Sequence, residues 1–273
     1  MDLKCYYINT MDISPFYPIR WHEEMEIVKV QCGKGMFRVD GKEYVLGQGD
    51  IVILRPFVMY SINRLGDNEI NMDAIMFNLR LIETDETDAH TLKYFAPLLN
   101  EKHSVPCVVR PNENWYSSFN KCVSSILSCD STLDDAEDNI KSNLRTMFYH
   151  IYNNRLTNVQ HSVTEDKQLY TVRRALEYIR SEYTKEITVK NIASHCGYSE
   201  FYMMKLFKQF TGESVVDYVN KYRLTVAGQQ LRTTIDDISA IAYQVGYNNI
   251  SYFNRQFKHL YGTTPREFRL NNN

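Results

Sequence analysis

The chain has 273 residues, of which 44% are hydrophobic, so it can bury one or two cores of ordinary size, and two domains are expected. Its net charge of −2 hides an asymmetry: residues 168–273 hold 14 Lys and Arg against 9 Asp and Glu, a net +5, and the remainder carries −7. A basic C-terminal part is typical of proteins that bind a polyanion, and the acidic remainder argues against nucleic-acid binding there.

Targeting and membrane segments are not visible. The first ten residues lack a basic region followed by an apolar run, which predicts no signal peptide. The longest apolar runs, such as Ile51–Leu54, are too short to span a bilayer. The six cysteines are scattered without a CxxC pair, so we expect reduced thiols and a cytoplasmic protein.

Residues 1–87 have the pattern of an all-β domain. Asp40–Gly41 separates two apolar runs and is a strong signal for a two-residue hairpin turn. A second turn at Gly47–Asp50 precedes the apolar strand Ile51–Leu54. Short strands at intervals of about ten residues predict a sandwich or a small barrel.

Two stretches resemble the motifs of cupin barrels. The stretch that starts at Arg20 and ends at Glu26 resembles the first motif, and the stretch that ends at Tyr60 resembles the second. The resemblance implies that His22 and Glu26 match two ligand positions of a metal-binding cupin, whereas Arg20 and Tyr60 stand where histidines would be. A catalytic metal site needs about three protein ligands, and Arg has no lone pair to give. We therefore expect no metal, no cofactor and no enzyme activity.

A ligand pocket is the functional alternative for this barrel. Small eight-stranded barrels can hold one small molecule. The polar groups of the predicted effector site are Arg20, His22, Glu26, Arg38 and Tyr60. The aromatic residues ahead of it would suit a saccharide: Tyr6, Tyr7, Phe16, Tyr17 and Trp21. In the competing interpretation these aromatic side chains plug the barrel, and His22 and Glu26 are a structural pair.

From Asp88 the apolar spacing changes to three and four residues, which predicts a helical region over residues 88–154. One pattern covers Leu92–Leu99 and a second runs from Trp115 to Leu127. A third begins with an acidic stretch, which favours a helix N-terminus. The polar run at 155–168 is the predicted linker.

Residues 169–273 contain one motif twice. Ile192–Tyr198 resembles Ile241–Tyr247 at an offset of 49 residues, and beyond it Phe207 matches Phe257 at an offset of 50. Each copy has a short helix, a tight turn and a longer helix, so the sequence predicts helix-turn-helix motifs at about 189–210 and 237–260.

Capping signals agree with these boundaries. Thr188 and Ser199 are predicted N-caps, and Gly197 suits the sharp turn because it lacks a Cβ atom. Val215–Leu231 is a predicted helix between the copies, and about 17 residues span about 25 Å. This helix would hold the two units about one DNA turn apart.

With Gly197–Tyr198–Ser199, Leu206–Phe207–Lys208 and the Pro265–Arg269 ending, residues 171–270 resemble the DNA-binding domain of the AraC/XylS family of bacterial transcription regulators. The resemblance implies two recognition helices that enter successive major-groove segments of double-stranded DNA. The predicted DNA-binding residues are Phe201, Tyr202, Met204, Lys205, Lys208, Ile250, Ser251, Asn254, Arg255 and Lys258. Asn and Arg suit this role because they read adenine and guanine edges bidentately.

The resemblance also implies a two-domain α+β fold, with an N-terminal cupin-like β-barrel, appended dimerisation helices and a C-terminal all-α tandem helix-turn-helix domain. A homodimer would form through the third helical pattern, with Leu144, Met147, Phe148 and Ile151 as candidate contacts. The alternative is that these helices pack onto their own barrel.

The expected function is sequence-specific transcription regulation, controlled by a small molecule for which a sugar is the first candidate. RNA polymerase is a further expected partner if the protein activates transcription. The alternatives are a ligand-independent regulator whose barrel only dimerises, and a cupin enzyme with an appended DNA-binding module.

Overall fold

The N-terminal part of the chain is built from antiparallel strands. A computed structural model describes residues 3–9, 16–65, 69–81, 105–130, 135–154 and 163–271. The strands are β1 Leu3–Asn9, β2 Met25–Val39, β3 Lys42–Gly47, β4 Ile51–Leu54, β5 Tyr60–Arg64, β6 Ile70–Phe77 and β7 Val108–Val109. One sheet has the strand order β1-β6-β2-β4-β7. Strands β3 and β5 pair with the C-terminal half of β2 and form a second sheet with it.

Strand β2 belongs to both sheets and bends between them. Its register shifts between Val30 and Cys32, and Gly33 follows with a φ of 87°. A Cβ atom on Gly33 would overlap the backbone of Glu69, so only glycine fits this close approach. The sequence predicted short strands at intervals of about ten residues, whereas β2 is one bent strand of 15 residues. The bend lets the two sheets enclose a core, which confirms the cupin-like fold.

Both predicted turns are present. Asp40 and Gly41 have φ values of 46° and 82°, as a two-residue hairpin turn between β2 and β3 requires. At the second turn, the Asp50 carboxylate accepts a hydrogen bond of 2.9 Å from the Gly47 amide.

Two helices cover the outer face of the first sheet, α1 Tyr116–Leu127 and α2 Ala136–Asn153. Along β2 and β4 successive residues alternate between the barrel interior and this helix-covered face, so both faces are buried. The helix-covered face carries Ile27, Ile53 and Ile75, which pack against the two helices.

The four residues predicted as dimer contacts lie in this same core. Leu144, Met147, Phe148 and Ile151 are buried against their own subunit's sheet. This placement corrects their assignment to a dimer interface, because a side chain that fills its own core has no surface left for a partner. The predicted helix at Leu92–Leu99 lies outside the described residues.

The C-terminal part is helical, with α3 Val163–Glu182, α4 Val189–Cys196, α5 Glu200–Thr211, α6 Val215–Thr233, α7 Ile238–Gln244, α8 Ile250–Tyr261 and α9 Pro265–Asn271. Helix α3 begins within the segment predicted as a linker, and residues 155–162 lie outside the described part. In the described ranges, no helix combines the length and the apolar character needed to cross a membrane.

The two domains contact each other through the segment before β2. Phe16 and Ile19 join the core formed by α3 to α6. The Ile19 amide donates a hydrogen bond of 3.1 Å to the hydroxyl of Tyr218 on α6. The N-terminal domain is therefore packed against the first helix-turn-helix unit.

Candidate nucleic-acid interface

The first helix-turn-helix unit consists of α4 and α5. Thr188 forms a capping box with Asn191. The backbone amide of Asn191 donates to the Thr188 hydroxyl, and the backbone amide of Thr188 donates to the side-chain oxygen of Asn191. Gly197 ends α4 with a φ of 80°, and the Ser199 hydroxyl then accepts from the Tyr202 amide to start α5. The predicted caps and the predicted turn are confirmed.

The second unit, α7 and α8, repeats this geometry with different residues. Asn249 caps α8 by accepting a hydrogen bond from the Tyr252 amide. Gly246 takes the turn position with a φ of 90° and lies against the carbonyl groups of Tyr183 and Thr184. Asp237 stands at the N-cap of α7 without a side-chain cap bond.

Helices α5 and α8 each have one face in the core and one face in solvent. In α5, Met203, Leu206 and Phe207 are buried, and in α8, Phe253 and Phe257 are buried. The predicted base-facing residues that are exposed are Phe201, Met204, Lys205, Lys208, Ser251, Asn254, Arg255 and Lys258.

Two predicted residues are only partly accessible. Tyr202 packs against the core of the first unit, and its ring lies 4.9 Å from that of Tyr198. Ile250 packs in the same way against the core of the second unit. Both lie at the edges of the exposed faces rather than at their centres.

Both recognition helices border a single cleft of about 600 Å³. Lys208 of α5 lines one side, and Tyr252, Gln256 and His259 of α8 line the other. The first half of α6 also lines the cleft, including Asn220. The two helices therefore present their sides to one common opening of the molecule.

Four cations lie on the outer faces of α5 and α8. Among the described residues, Lys205, Lys208, Arg255 and Lys258 form no ion pair within 4.0 Å. The Arg255 guanidinium instead lies 5.3 Å from the centre of the Tyr252 ring. Unpaired cations on an exposed face can bind phosphate oxygens without first breaking an internal salt bridge.

Tyr252, Gln256 and His259 are the residues of α8 that line the cleft and were not predicted from the sequence as DNA contacts. The repeat contained a signal for one of them. Gln256 matches Leu206 at the offset of 50, and Leu206 is buried. A polar residue at a position that is apolar in the other copy indicates that the surroundings differ.

Four of the five predicted effector-site residues lie together in the N-terminal domain. Arg20 and Tyr60 exchange two backbone hydrogen bonds of 2.9 Å. His22 Nε2 lies 3.0 Å from a carboxylate oxygen of Glu26, which is only 1% exposed. The Tyr6 hydroxyl donates to the other oxygen of that carboxylate.

This cluster perturbs its titratable groups. Burial, followed by the charge of Glu26, raises the pKa of Tyr60 and of Tyr6. For His22, burial alone would lower the pKa, but the hydrogen bond and the charge of Glu26 outweigh it and raise the pKa above 6.5. The phenols stay protonated, and protonated His22 is favoured beside the carboxylate.

Arg38 does not join the cluster. Its guanidinium pairs with Glu43 and lies at Gly212, the C-cap of α5. Arg38 is therefore a residue of the contact between the domains, and its predicted role as an effector ligand is corrected for that reason.

A cavity of about 590 Å³ adjoins the cluster between the two domains. Arg20 borders it, with its guanidinium 4.3 Å from the centre of the Tyr17 ring. Gln229 and Thr225 of α6 border it from the DNA-binding side. Within the described ranges, no group of three His, Cys, Asp or Glu side chains is placed to hold a metal ion.

Comparison with known proteins gives the family. Residues 4–137 match the AraC-like ligand binding domain, and residues 192–271 match a helix-turn-helix domain. The Transposon Tn10 TetD protein of Escherichia coli is 30% identical over 122 residues, 44% of this chain and 88% of its own. The HTH-type transcriptional activator RhaS of Mannheimia succiniciproducens is 25% identical, over 93% of this chain and 90% of its own.

A crystal structure of unsaturated fatty acid bound ToxT from Vibrio cholerae is 15% identical, covers 99% of this chain and 95% of its own, and has a TM-score of 0.46. The matches to both domains, in the same order along the chain, agree with the tandem helix-turn-helix units and the antiparallel N-terminal domain. The chain belongs to the AraC family of DNA-binding transcriptional regulators.

Proposed function

We propose that α5 and α8 enter successive major-groove segments of an operator and that the protein regulates transcription from that site. The observation that carries this proposal is the pair of exposed helix faces, each with two cations that form no ion pair among the described residues, on two helices that border one cleft. Major-groove segments on one side of B-DNA recur about every 34 Å, and two rigidly connected helices can occupy neighbouring ones.

Asn254 and Arg255 are the proposed base readers of α8, and Lys258 is a proposed phosphate contact. Asn pairs with adenine and Arg with guanine through two hydrogen bonds each. Lys258 lies one turn further along the exposed face. A single ammonium group at that position neutralises a phosphate whatever the base sequence is.

The test begins with duplexes that the full-length protein selects from random sequence. Arg255→Ala should weaken binding to the selected operator by about 1–3 kcal/mol and relax the choice at one base pair. Lys258→Ala should weaken all duplexes alike and reduce the salt slope by about one. Lys121→Ala, which removes an exposed charge on α1, serves as the control. It should change neither the affinity for the operator nor the salt slope. Equal losses on operator and random duplex for Arg255→Ala would contradict its role.

We further propose that a small polar molecule, with a saccharide as the first candidate, binds where Arg20 borders the cavity between the domains. An occupant there would contact the aromatic segment of the N-terminal domain and α6 at the same time. A ligand can shift domain arrangement only if it binds one arrangement more tightly, and a site shared by both domains meets that requirement.

Thermal-shift screening with sugars and organic acids tests the effector proposal. A ligand present at 100 times its Kd stabilises the folded state by about 2.7 kcal/mol. Arg20→Ala should abolish the shift of a positive compound and leave binding to the selected operator intact, since Arg20 is not on the exposed faces of α5 and α8 that carry the proposed DNA contacts.

A second candidate is a regulator that needs no small molecule. It is favoured by the packing of the barrel, because both Glu26 oxygens already have partners and Tyr17 and Tyr60 fill the interior. A screen without any positive compound, together with tight operator binding by the untreated protein, would support this candidate.

A further inference from the structure

The two recognition helices can be compared position by position. Both have 12 residues, with N-caps Ser199 and Asn249 and C-caps Gly212 and Gly262 in left-handed conformation. The caps are 50 residues apart at both ends. Residues of α5 and α8 that differ by 50 in number therefore occupy equivalent places in equivalent units.

The equivalent outer positions share their cations but differ in the rest of their chemistry. Lys205 matches Arg255, and Lys208 matches Lys258. The remaining pairs are Phe201 with Ser251 and Met204 with Asn254. Where α8 has hydrogen-bonding side chains, α5 has two apolar ones.

Phe201 is 76% exposed and Met204 is 47% exposed, although each has an apolar side chain that would be more stable out of water. They are three residues apart on a helix and so share one face. Phe201 has no donor or acceptor, and the Met204 sulfur is only a weak acceptor. This pair cannot read a base by hydrogen bonds as Asn254 and Arg255 can.

The major groove contains one apolar group that distinguishes bases, the C5-methyl of thymine. We propose that α5 reads thymine methyl groups through Phe201 and Met204, whereas α8 reads hydrogen-bonding base edges. The proposal rests on the proposed function, because it assigns a sequence preference to a helix that must first enter the groove.

The surroundings of the pair favour DNA as the occupant of this face. Lys205 directly follows Met204, and Lys208 lies one turn further on beside the cleft that α8 also borders. The apolar pair is thus continuous with the proposed DNA-binding surface. Its two side chains are a few ångströms apart, which suits thymines one or two base steps apart.

The test compares thymine with deoxyuridine, which lacks only the methyl group. Operators are selected with the wild-type protein and with the double variant Phe201→Ser/Met204→Asn, which gives α5 the polar pair of α8. The half-site in which the two selections differ is the one that α5 contacts, and it should be rich in thymine only with the wild-type protein.

Deoxyuridine at the thymines of that half-site should weaken wild-type binding by about fourfold per methyl lost. The double variant should bind the thymine and deoxyuridine forms equally well. Deoxyuridine in the other half-site should have a smaller effect, since α8 reads through hydrogen bonds.

Specific binding that is insensitive to deoxyuridine would overturn the proposal and leave the proposed function intact. Identical half-sites selected by both proteins would overturn it as well. If the double variant sediments differently from the wild-type protein and deoxyuridine does not weaken wild-type binding, the face of Phe201 and Met204 is a protein contact instead. Failure of the wild-type protein to enrich any sequence would count against the proposed function itself.

Discussion

At the scale of single residues, Glu26 explains the polar cluster of the N-terminal domain. A buried carboxylate is costly unless it is paired and hydrogen-bonded. Tyr6 and His22 supply these bonds, one to each oxygen. The structural-pair interpretation of His22 and Glu26 therefore has a physical basis whether or not a ligand binds nearby.

His22 should make stability depend on pH. Its ring faces Glu26 at 3.0 Å, the Glu24 carboxylate at 3.6 Å and the edge of the Tyr60 ring. Because the folded state raises the pKa of His22 above 6.5, its stabilising contribution is complete below that pH and is lost as the pH rises through the folded pKa. The difference in unfolding free energy between wild type and His22→Gln should shrink from about pH 6 to pH 9, measured by urea unfolding.

His150 on α2 is the matched control. Burial lowers the pKa of His150, so the native state disfavours its protonation. The wild-type advantage over His150→Gln should grow as the pH rises, opposite to the trend for His22→Gln. A difference between wild type and His22→Gln that stays constant with pH would contradict the linkage.

At the scale of elements, Arg223 and Gly246 hold the loop after α3 between the two helix-turn-helix units. Arg223 of α6 donates hydrogen bonds of 2.7 and 2.6 Å to the carbonyl groups of Tyr183 and Lys185. Gly246 also lies close to this loop, at the carbonyl groups of Tyr183 and Thr184. This loop therefore joins the first unit to the second by more than the covalent path through α6.

The turn glycines of the two units should differ in their tolerance of alanine. Gly197 and Gly246 have similar φ values, 80° and 90°, so alanine adds similar backbone strain of about 1–2 kcal/mol at each. At Gly197 a Cβ atom meets nothing within 4 Å, whereas at Gly246 it would lie 2.8 Å from two carbonyl oxygens. Gly246→Ala should lower the Tm clearly more than Gly197→Ala, as followed by circular dichroism; equal losses would contradict the close packing.

Local signals made the elements of the DNA-binding domain predictable. Thr188, Ser199 and Gly197 act within a few residues of their own position, so their roles follow from the sequence. The role of Gly228 in the middle of α6 does not. The hydroxyl end of the Tyr261 side chain of α8 lies where a Cβ atom on Gly228 would be, a contact between residues far apart in the chain.

The candidate site was predictable to the same extent. The repeat placed the outward residues of α5 and α8 because helical spacing alone separates the two faces. The position of Arg38 was not accessible in this way. The contact of Arg38 with the end of α5 depends on how the two domains pack. The spacing of apolar residues contains no information about that packing.

At the scale of the whole molecule, the N-terminal domain contacts the two helix-turn-helix units unequally. Arg38 lies at Gly212, the C-cap of α5, whereas a Cβ atom on Gly262, the equivalent residue of α8, would meet nothing within 4 Å. Phe16 and Ile19 likewise join the core of the first unit. A change in the N-terminal domain should therefore reach α5 before it reaches α8.

Tyr218 shows how the sequence has adapted to this contact. The equivalent residue in the second unit is Phe268, which has no hydroxyl group. The hydroxyl of Tyr218 accepts the hydrogen bond from the Ile19 amide, and its ring packs against Phe16 with centroids 5.4 Å apart. Tyr218→Phe keeps the ring and removes only the hydrogen bond between the domains.

Tyr218→Phe should loosen the segment around Ile19. A buried amide without its partner costs about 1–3 kcal/mol, so hydrogen–deuterium exchange of residues 16–21 should accelerate at least about fivefold. Tyr247→Phe is the control, because its hydroxyl bonds to the Asn220 carbonyl within the DNA-binding domain. If both variants leave exchange at 16–21 unchanged, the Ile19–Tyr218 bond does not hold the domains together. Faster exchange only in Tyr218→Phe would locate the coupling at this contact, because the two variants lose the same chemical group.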